Sequence, residues 1–206
     1  MRVLPTSKTA ILLLTITLLH VGIAKAQSIG ALAAQNNISD AALSNTSGNI
    51  ALNTSAGNGN LQANIAVISV SEDIAKANVI SEQGVVLSNK ATSNRNVSEI
   101  GTNAFQNASG VIRVNQSSGN ANTQANLVAI AIGKVAEVSI DQLGRVNTAQ
   151  ETPNGASPNS DSRKNTAVIA DSAFSNARGI VQVNQLAGSG NSTANLFTLS
   201  VSVASP

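Results

Sequence analysis

The stretch Ala104-FQNASGVIRVNQSSGNANTQA-Asn126 occurs three times in this 206-residue chain, and the three copies align without a gap. The other copies are Ala42-LSNTSGNIALNTSAGNGNLQA-Asn64 and Ala173-FSNARGIVQVNQLAGSGNSTA-Asn195, so the copies start 62 and then 69 residues apart. Duplicated units usually stack, because one unit cannot bury its own apolar face. The shared positions are glycine, asparagine, glutamine and aliphatic residues, with no catalytic residue type. The repeat therefore predicts architecture rather than chemistry.

Each copy has a two-residue period that is typical of β-strands. Ile112 and Val114 lie on one face of the predicted strand, and Arg113 and Asn115 lie on the other. A second, almost wholly apolar strand begins near Asn126, which predicts that both of its faces are covered. The segment between the two strands is a predicted turn, since glycine and asparagine tolerate positive φ. The predicted turn glycines are Gly57, Gly119 and Gly188.

These patterns predict an all-β fold in which three stacked repeats form a β-solenoid, with a repeat-built β-sandwich as the alternative. The inserts after the first and second repeats contain further apolar runs and predict one or two strands each. Residues 147–165 contain two prolines and many small polar residues, which predicts an exposed loop. The predicted repeats span about 36–70, 96–132 and 165–203, within a single domain of residues 27–206.

Residues 1–26 have the pattern of a secretory signal peptide. Arg2 and Lys8 give a positive start, an apolar run follows, and Ala24-Lys25-Ala26 is a small-residue cleavage site. A membrane anchor is the alternative, but the apolar run is short for a span. We therefore expect an exported chain with no membrane span after cleavage, located outside the cell, at its surface or in the periplasm.

The composition after cleavage excludes several classes of function. The predicted mature chain has no His, Cys, Met, Trp or Tyr, so it lacks disulfides, the usual zinc and copper ligands, and the residues of a Ser-His-Asp or Cys-His arrangement. Nine Lys and Arg stand against ten Asp and Glu, a net charge of −1. That balance gives no electrostatic footprint for nucleic acid. The acids are scattered, so we expect no enzyme, no metal site and no cofactor.

Matched amides are the candidate assembly positions. If the repeats stack, identical side chains can form hydrogen-bonded ladders from copy to copy, whereas the alternative is that asparagine only makes turns. The turn is favoured for Asn60, Asn122 and Asn191, which lie beside glycines. Two matched phenylalanines are predicted to fill the core rather than to bind a ligand. The predicted ladder residues are Asn53, Asn115 and Asn184, Asn64, Asn126 and Asn195, and Gln116 and Gln185 (Thr54 in the first copy), and the core aromatics are Phe105 and Phe174.

The stretch V-N-Q-x-x-G-x-x-N-x-x-A-N resembles the repeats of bacterial secreted functional amyloids. The layout of three Asn/Gln/Ala-rich copies with unequal inserts is similar to the Fap fibre subunits and more distantly to curlin. The resemblance implies a secreted protein of a biofilm fibre or adhesion system. In that case Gln116, Gly119, Asn122 and Ala125 correspond to ladder positions of the family, as do their equivalents in the third copy.

Two functions remain open from the sequence. In the first, the exported protein is a structural component that pairs strands with itself or with a related fibre subunit. In the second, it is a soluble exported accessory or binding module of such a system, with protected strand edges and no polymerisation. A surface polysaccharide enzyme would need acids clustered on one face, and the sequence shows no such cluster.

Overall fold

A computed structural model describes residues 21–26, 33–87, 95–148 and 164–203, and every regular element in these ranges is a β-strand. The strands are β1 Val21–Ala26, β2 Ala33–Ile38, β3 Ser47–Ala56, β4 Leu61–Val70, β5 Ile74–Leu87, β6 Arg95–Ile100, β7 Ser109–Ser118, β8 Thr123–Gly133, β9 Val135–Thr148, β10 Lys164–Ile169, β11 Arg178–Ala187 and β12 Ser192–Ser202.

Each sequence repeat forms one layer, and the layers stack in parallel and in register. Layer 1 contains β2–β5, layer 2 contains β6–β9 and layer 3 contains β10–β12. Strand orders of β10-β6-β2, β11-β7-β3 and β12-β8-β4 place layer 2 in the middle. The register joins equivalent repeat positions, so that Asn115 lies between Asn53 and Asn184. The predicted all-β fold of stacked repeats, a β-solenoid, is confirmed.

The inserts form one long strand each. β5 and β9 are both 14 residues long and pair in parallel, from Ile74 with Val135 to Leu87 with Thr148. β9 ends at Thr148 and β10 begins at Lys164, so most of the predicted loop 147–165 lies outside the described residues. The linker after β5 lies outside them as well.

The predicted signal peptide falls mostly outside the described residues, which begin at Val21. Its last six residues form β1, which pairs in parallel with the second half of β5. If the chain is cleaved after Ala26, this strand leaves with the signal. Cleavage itself stays a prediction.

Two apolar clusters of described residues form the core. One lies between β4 and β8 on one side and β5 and β9 on the other, and it contains Leu127 and Val79. The second surrounds Phe105, between β6, β7 and the turn that joins them. The phenylalanine rings of layers 2 and 3, Phe105 and Phe174, stack with centroids 4.7 Å apart. Phe105 is fully buried and adopts φ 58°. Its backbone nitrogen donates to Ala42 O at 2.8 Å, which holds this costly left-handed conformation in place.

Layer 3 has no described strand equivalent to β5 and β9, and one column of side chains is therefore more exposed in layer 3 than in layers 1 and 2. Ile65, Leu127 and Leu196 occupy the same register position in layers 1, 2 and 3. Ile65 is 6% exposed and Leu127 is 0% exposed, whereas Leu196 is 51% exposed. Layers 1 and 3 are both ends of the stack, so the difference comes mainly from the strand that covers Ile65 and has no counterpart over Leu196 among the described residues.

This column provides a matched pair of substitutions. We expect Leu127→Ala to lower the free energy of unfolding by about 2–5 kcal/mol, because it opens a cavity in the core. We expect Leu196→Ala to lower it by about 1 kcal/mol or less, because half of the side chain already contacts water. Urea unfolding, monitored by circular dichroism, measures both free energies. Equal losses for the two variants would show that a further segment covers Leu196 in solution.

Candidate assembly site: stacked amides and open layer ends

The interior between β7 and β8 holds a column of asparagines, one from each layer. Asn115 Nδ2 donates to Asn53 Oδ1 at 3.0 Å, and Asn184 Nδ2 donates to Asn115 Oδ1 at 3.0 Å. Asn115 is fully buried in the middle layer. Its Nδ2 also lies 2.8 Å from Ala63 O, so the amide joins the next layer and the facing strand.

A second asparagine column faces the first. Asn126 Nδ2 donates to Asn64 Oδ1 at 3.0 Å, and Asn195 Nδ2 donates to Asn126 Oδ1 at 3.0 Å. The two columns are joined within layer 2, where Asn126 Nδ2 donates to Asn115 Oδ1 at 2.9 Å. The repeat indicated that each column exists. Their mutual contact depends on the turn that folds β8 back on β7.

The opposite face of β7 carries the glutamine pair. Gln185 Nε2 donates to Gln116 Oε1 at 2.9 Å, and Gln116 Nε2 donates to Glu99 O of β6 at 2.8 Å. In layer 1 the equivalent residue is Thr54, whose buried hydroxyl has no hydrogen-bond partner. The glutamine column therefore extends over layers 2 and 3 only. For all of these amides, a role in assembly stays a prediction.

The structure also joins the asparagines for which the repeat favoured a turn and the family resemblance implied a ladder. It adds a glutamine pair that was not predicted. Asn122 Nδ2 donates to Asn60 Oδ1, and Asn191 Nδ2 donates to Asn122 Oδ1, each at 3.0 Å, although all three residues lie in turns. Gln62 Nε2 donates to Gln124 Oε1 at 2.6 Å. The gapless alignment of the repeats was sufficient to predict the column of Asn60, Asn122 and Asn191. The glutamine pair was harder to find, because the third copy has threonine at that position.

The turn glycines form a column of close backbone contacts. Gly57, Gly119 and Gly188 have φ between 106° and 130°, which L side chains rarely adopt. A Cβ on Gly119 would lie 1.9 Å from Gly188 O, and a Cβ on Gly57 would lie 2.0 Å from Gly119 O. At Gly57 and Gly119 the backbone of the next layer occupies the space that a side chain needs.

One charged side chain is buried beside the asparagine columns. Arg113 is 2% exposed, and its Nη2 donates to Asn49 Oδ1. Its Nε and Nη1 are buried with no hydrogen-bond partner. Burial lowers the pKa of this guanidinium below its ordinary value. Because a buried charge with unpaired donors is costly, Arg113 opposes folding of the stack.

We expect Arg113→Met to raise the free energy of unfolding by about 1–3 kcal/mol, since methionine fills similar volume without unpaired donors. The gain in stability should be the same at mildly acidic and neutral pH. The guanidinium stays charged at every pH below its lowered pKa, so the cost of burying the charge is the same at both pH values. Arg178→Met, at an exposed position, is the control and should change stability by less than about 0.5 kcal/mol. Urea titrations at both pH values test this. Destabilisation by Arg113→Met would contradict the assignment.

Two ion pairs join layers 1 and 2 near the start of β5 and β9. Lys76 Nζ lies 2.6 Å from Glu137 Oε2, and Lys134 Nζ lies 3.4 Å from Asp73 Oδ1. All four side chains are substantially exposed, so these pairs add little stability. In the described ranges no three His, Cys, Asp or Glu side chains are grouped so as to hold a metal ion. No helix there is long and apolar enough to cross a membrane.

The two ends of the stack expose opposite surfaces, the upper surface of layer 3 and the lower surface of layer 1. The upper surface of layer 3 has a groove of about 630 Å³ lined by residues 179–183 of β11 and 194–197 of β12. Asn53, at the lower surface of layer 1, is exposed, while its equivalent in layer 2 is fully buried. Each end therefore lacks the neighbour that layer 2 has on both sides.

Parallel in-register strands and amide columns in stacked repeats define a β-solenoid protein. A family model of the functional amyloid protein FapB/FapC family matches residues 21–202, and the chain belongs to this family. The resemblance inferred from the repeats is confirmed. No solved structure matches the chain.

Proposed function

We propose that the chain is an exported structural subunit of an extracellular fibre in a biofilm or adhesion system, and that it assembles by strand pairing with itself or a related subunit. Membership of a functional amyloid family supports assembly in general. The observation that carries the proposal is the identical register of the three layers. Because layer 2 accepts an equivalent layer on each side, layer 3 of one copy can accept layer 1 of the next.

The exposure of the asparagine column supports this stacking. Asn115 is 0% exposed and Asn184 is 7% exposed, while Asn53 at the lower end is open to solvent. A second copy placed with its layer 1 on layer 3 would continue the column and bury Asn53. A contact between unlike surfaces of identical chains produces a filament when its rotation does not close into a ring, and stacking copies along the axis of the layers gives such an open arrangement. The role is structural, and no catalysis is proposed.

One feature favours the alternative, a minor or accessory component. Layer 3 leaves the long edge of β9 without a described strand above it, and Ser200 Oγ donates to Ala136 O on that edge at 2.7 Å. Thr198 and Ser200 replace the more apolar Ala129 and Ala131 of layer 2. Polar terminal repeats are typical of caps. The same features would suit a chain that ends a fibre.

Assembly of purified Gln27–Pro206 separates these functions. Thioflavin-T fluorescence and sedimentation should show a lag phase and then a pellet, whose fibre diffraction should have a meridional spacing of about 4.7 Å. A solution that stays clear, with a β-type circular dichroism spectrum and a cooperative melt, would contradict the structural role and support the accessory module. Addition of that soluble protein to a related subunit would then test for capping.

A further inference from the structure

A second column of glycines lies at the start of β3, β7 and β11. A Cβ on Gly110 would lie 2.1 Å from Gly48 O, and a Cβ on Gly179 would lie 2.2 Å from Gly110 O. In this column each glycine faces the carbonyl of the layer below. Gly48 belongs to the lowest layer, and a Cβ there meets nothing within 4 Å although φ is 110°.

The turn glycines face the other way. Gly57 and Gly119 each face the carbonyl of the layer above, as their short Cβ distances to Gly119 O and Gly188 O show. Gly188 belongs to the uppermost layer. The nearest atom to a Cβ there is the end of a flexible side chain, Asn165 Nδ2, at 3.3 Å. The isolated chain thus has one glycine at each end without the backbone contact that its column makes elsewhere.

We propose that Gly48 and Gly188 are junction residues, and that both act at the same contact between two copies of this chain. Gly48 of the upper copy meets the Gly179 carbonyl of the lower copy. Gly188 of the lower copy meets the Gly57 carbonyl of the upper copy. The inference rests on the proposed function, because it requires layer 1 of one copy to sit on layer 3 of another.

The occupant of each end is a second copy because the internal stacking continues across the junction. Backbone hydrogen bonds already join successive layers beside each glycine column, from Gly119 N to Ala56 O and from Ser109 N to Thr46 O, both at 2.9 Å. Donors in both asparagine columns run from the higher layer to the lower one. Asn53 of an upper copy is therefore set to donate to Asn184 of a lower copy. β3 and β4 of the upper copy would cover the groove on layer 3.

The two glycines predict end-specific effects in filament growth. Gly48→Ala can add its normal layer 3 to a wild-type seed, but the alanine it then exposes should block the next copy. Gly188→Ala should do the same at the opposite end of the filament. Each variant is added in a small amount to wild-type monomer and labelled wild-type seeds. The growth rate at one end of the filament should then fall by at least about tenfold, and the rate at the other end should not change. Both variants together should stop both ends.

Backbone strain alone gives a different result. Alanine at positive φ strains the variant itself, so it would slow incorporation of the variant at either end of the filament. Strain alone would therefore slow growth at both ends equally or leave growth of the wild-type protein unaffected. Either of those outcomes, seen by fluorescence microscopy of single filaments, would overturn the junction assignment. If wild-type seeds do not grow at all, the proposed function fails instead. Where wild-type seeds grow at one end only, one variant should stop growth and the other should not.

Discussion

Gly119→Ala is expected to remove the three-layer fold. The new Cβ would lie 1.9 Å from Gly188 O and 2.6 Å from its carbonyl carbon, and φ at this position is 119°. Neither atom belongs to a flexible side chain, so two strands must separate to make room. Since this change combines backbone strain with loss of pairing between layers 2 and 3, we expect a loss of at least about 4 kcal/mol, close to the whole stability of many domains.

Circular dichroism and urea unfolding of the purified variant measure this effect. Gly84→Ala is the matched control, because this glycine lies in β5, has ordinary φ, and has nothing within 4 Å of the position of a Cβ. The control should leave stability unchanged or raise it by about 0.5 kcal/mol. A Gly119→Ala variant with a wild-type melt would mean that the layers are not stacked in this register.

Asn115→Ala is expected to have the second largest effect. Asn115 Nδ2 donates to Asn53 Oδ1 and to Ala63 O, and its Oδ1 accepts from Asn126 and Asn184. Alanine would leave several of these groups buried without a partner, and each such group costs about 1–3 kcal/mol. Because the partners can adjust in part, we expect a total loss of about 3–6 kcal/mol and much slower assembly.

Asn37→Ala is the control for this substitution, since Asn37 is exposed on β2. The free energy of unfolding of the Asn37→Ala variant should differ from wild type by less than about 0.5 kcal/mol. Urea unfolding gives the stability of both variants, and thioflavin-T kinetics gives the rate of assembly. If Asn115→Ala unfolds like the control variant, the amide columns do not stabilise the stack.

The sequence was sufficient to predict which residues share a column. Gapless repeats placed Asn53, Asn115 and Asn184 at one position, and stacking of the repeats was expected because a single repeat cannot bury its apolar face. The two-residue period likewise separated Ile112 and Val114 from Arg113 and Asn115. Resemblance to the Fap fibre subunits was available from the same repeat, and the family match confirms it.

The contacts between columns were decided by the tertiary structure. The repeat places one matched asparagine on β7 and another on β8, but only the fold of β8 against β7 brings Asn115 and Asn126 together at 2.9 Å. The burial of Arg113 depends in the same way on what lies opposite it, since its strand position alone is typical of an exposed face. Long-range packing sets these distances, and local periodicity carries no information about them.

The sequence by itself therefore determined the repeating unit, two of its strands and the residues that align between layers. The tertiary structure decided which glycines face a carbonyl and which face open space. Gly48 and Gly110 are equivalent in the repeat, yet a Cβ would be free at the first and would lie 2.1 Å from backbone oxygen at the second. The reason is physical: identical residues in a stack differ only in what lies above and below them, and that depends on which layer is at the end.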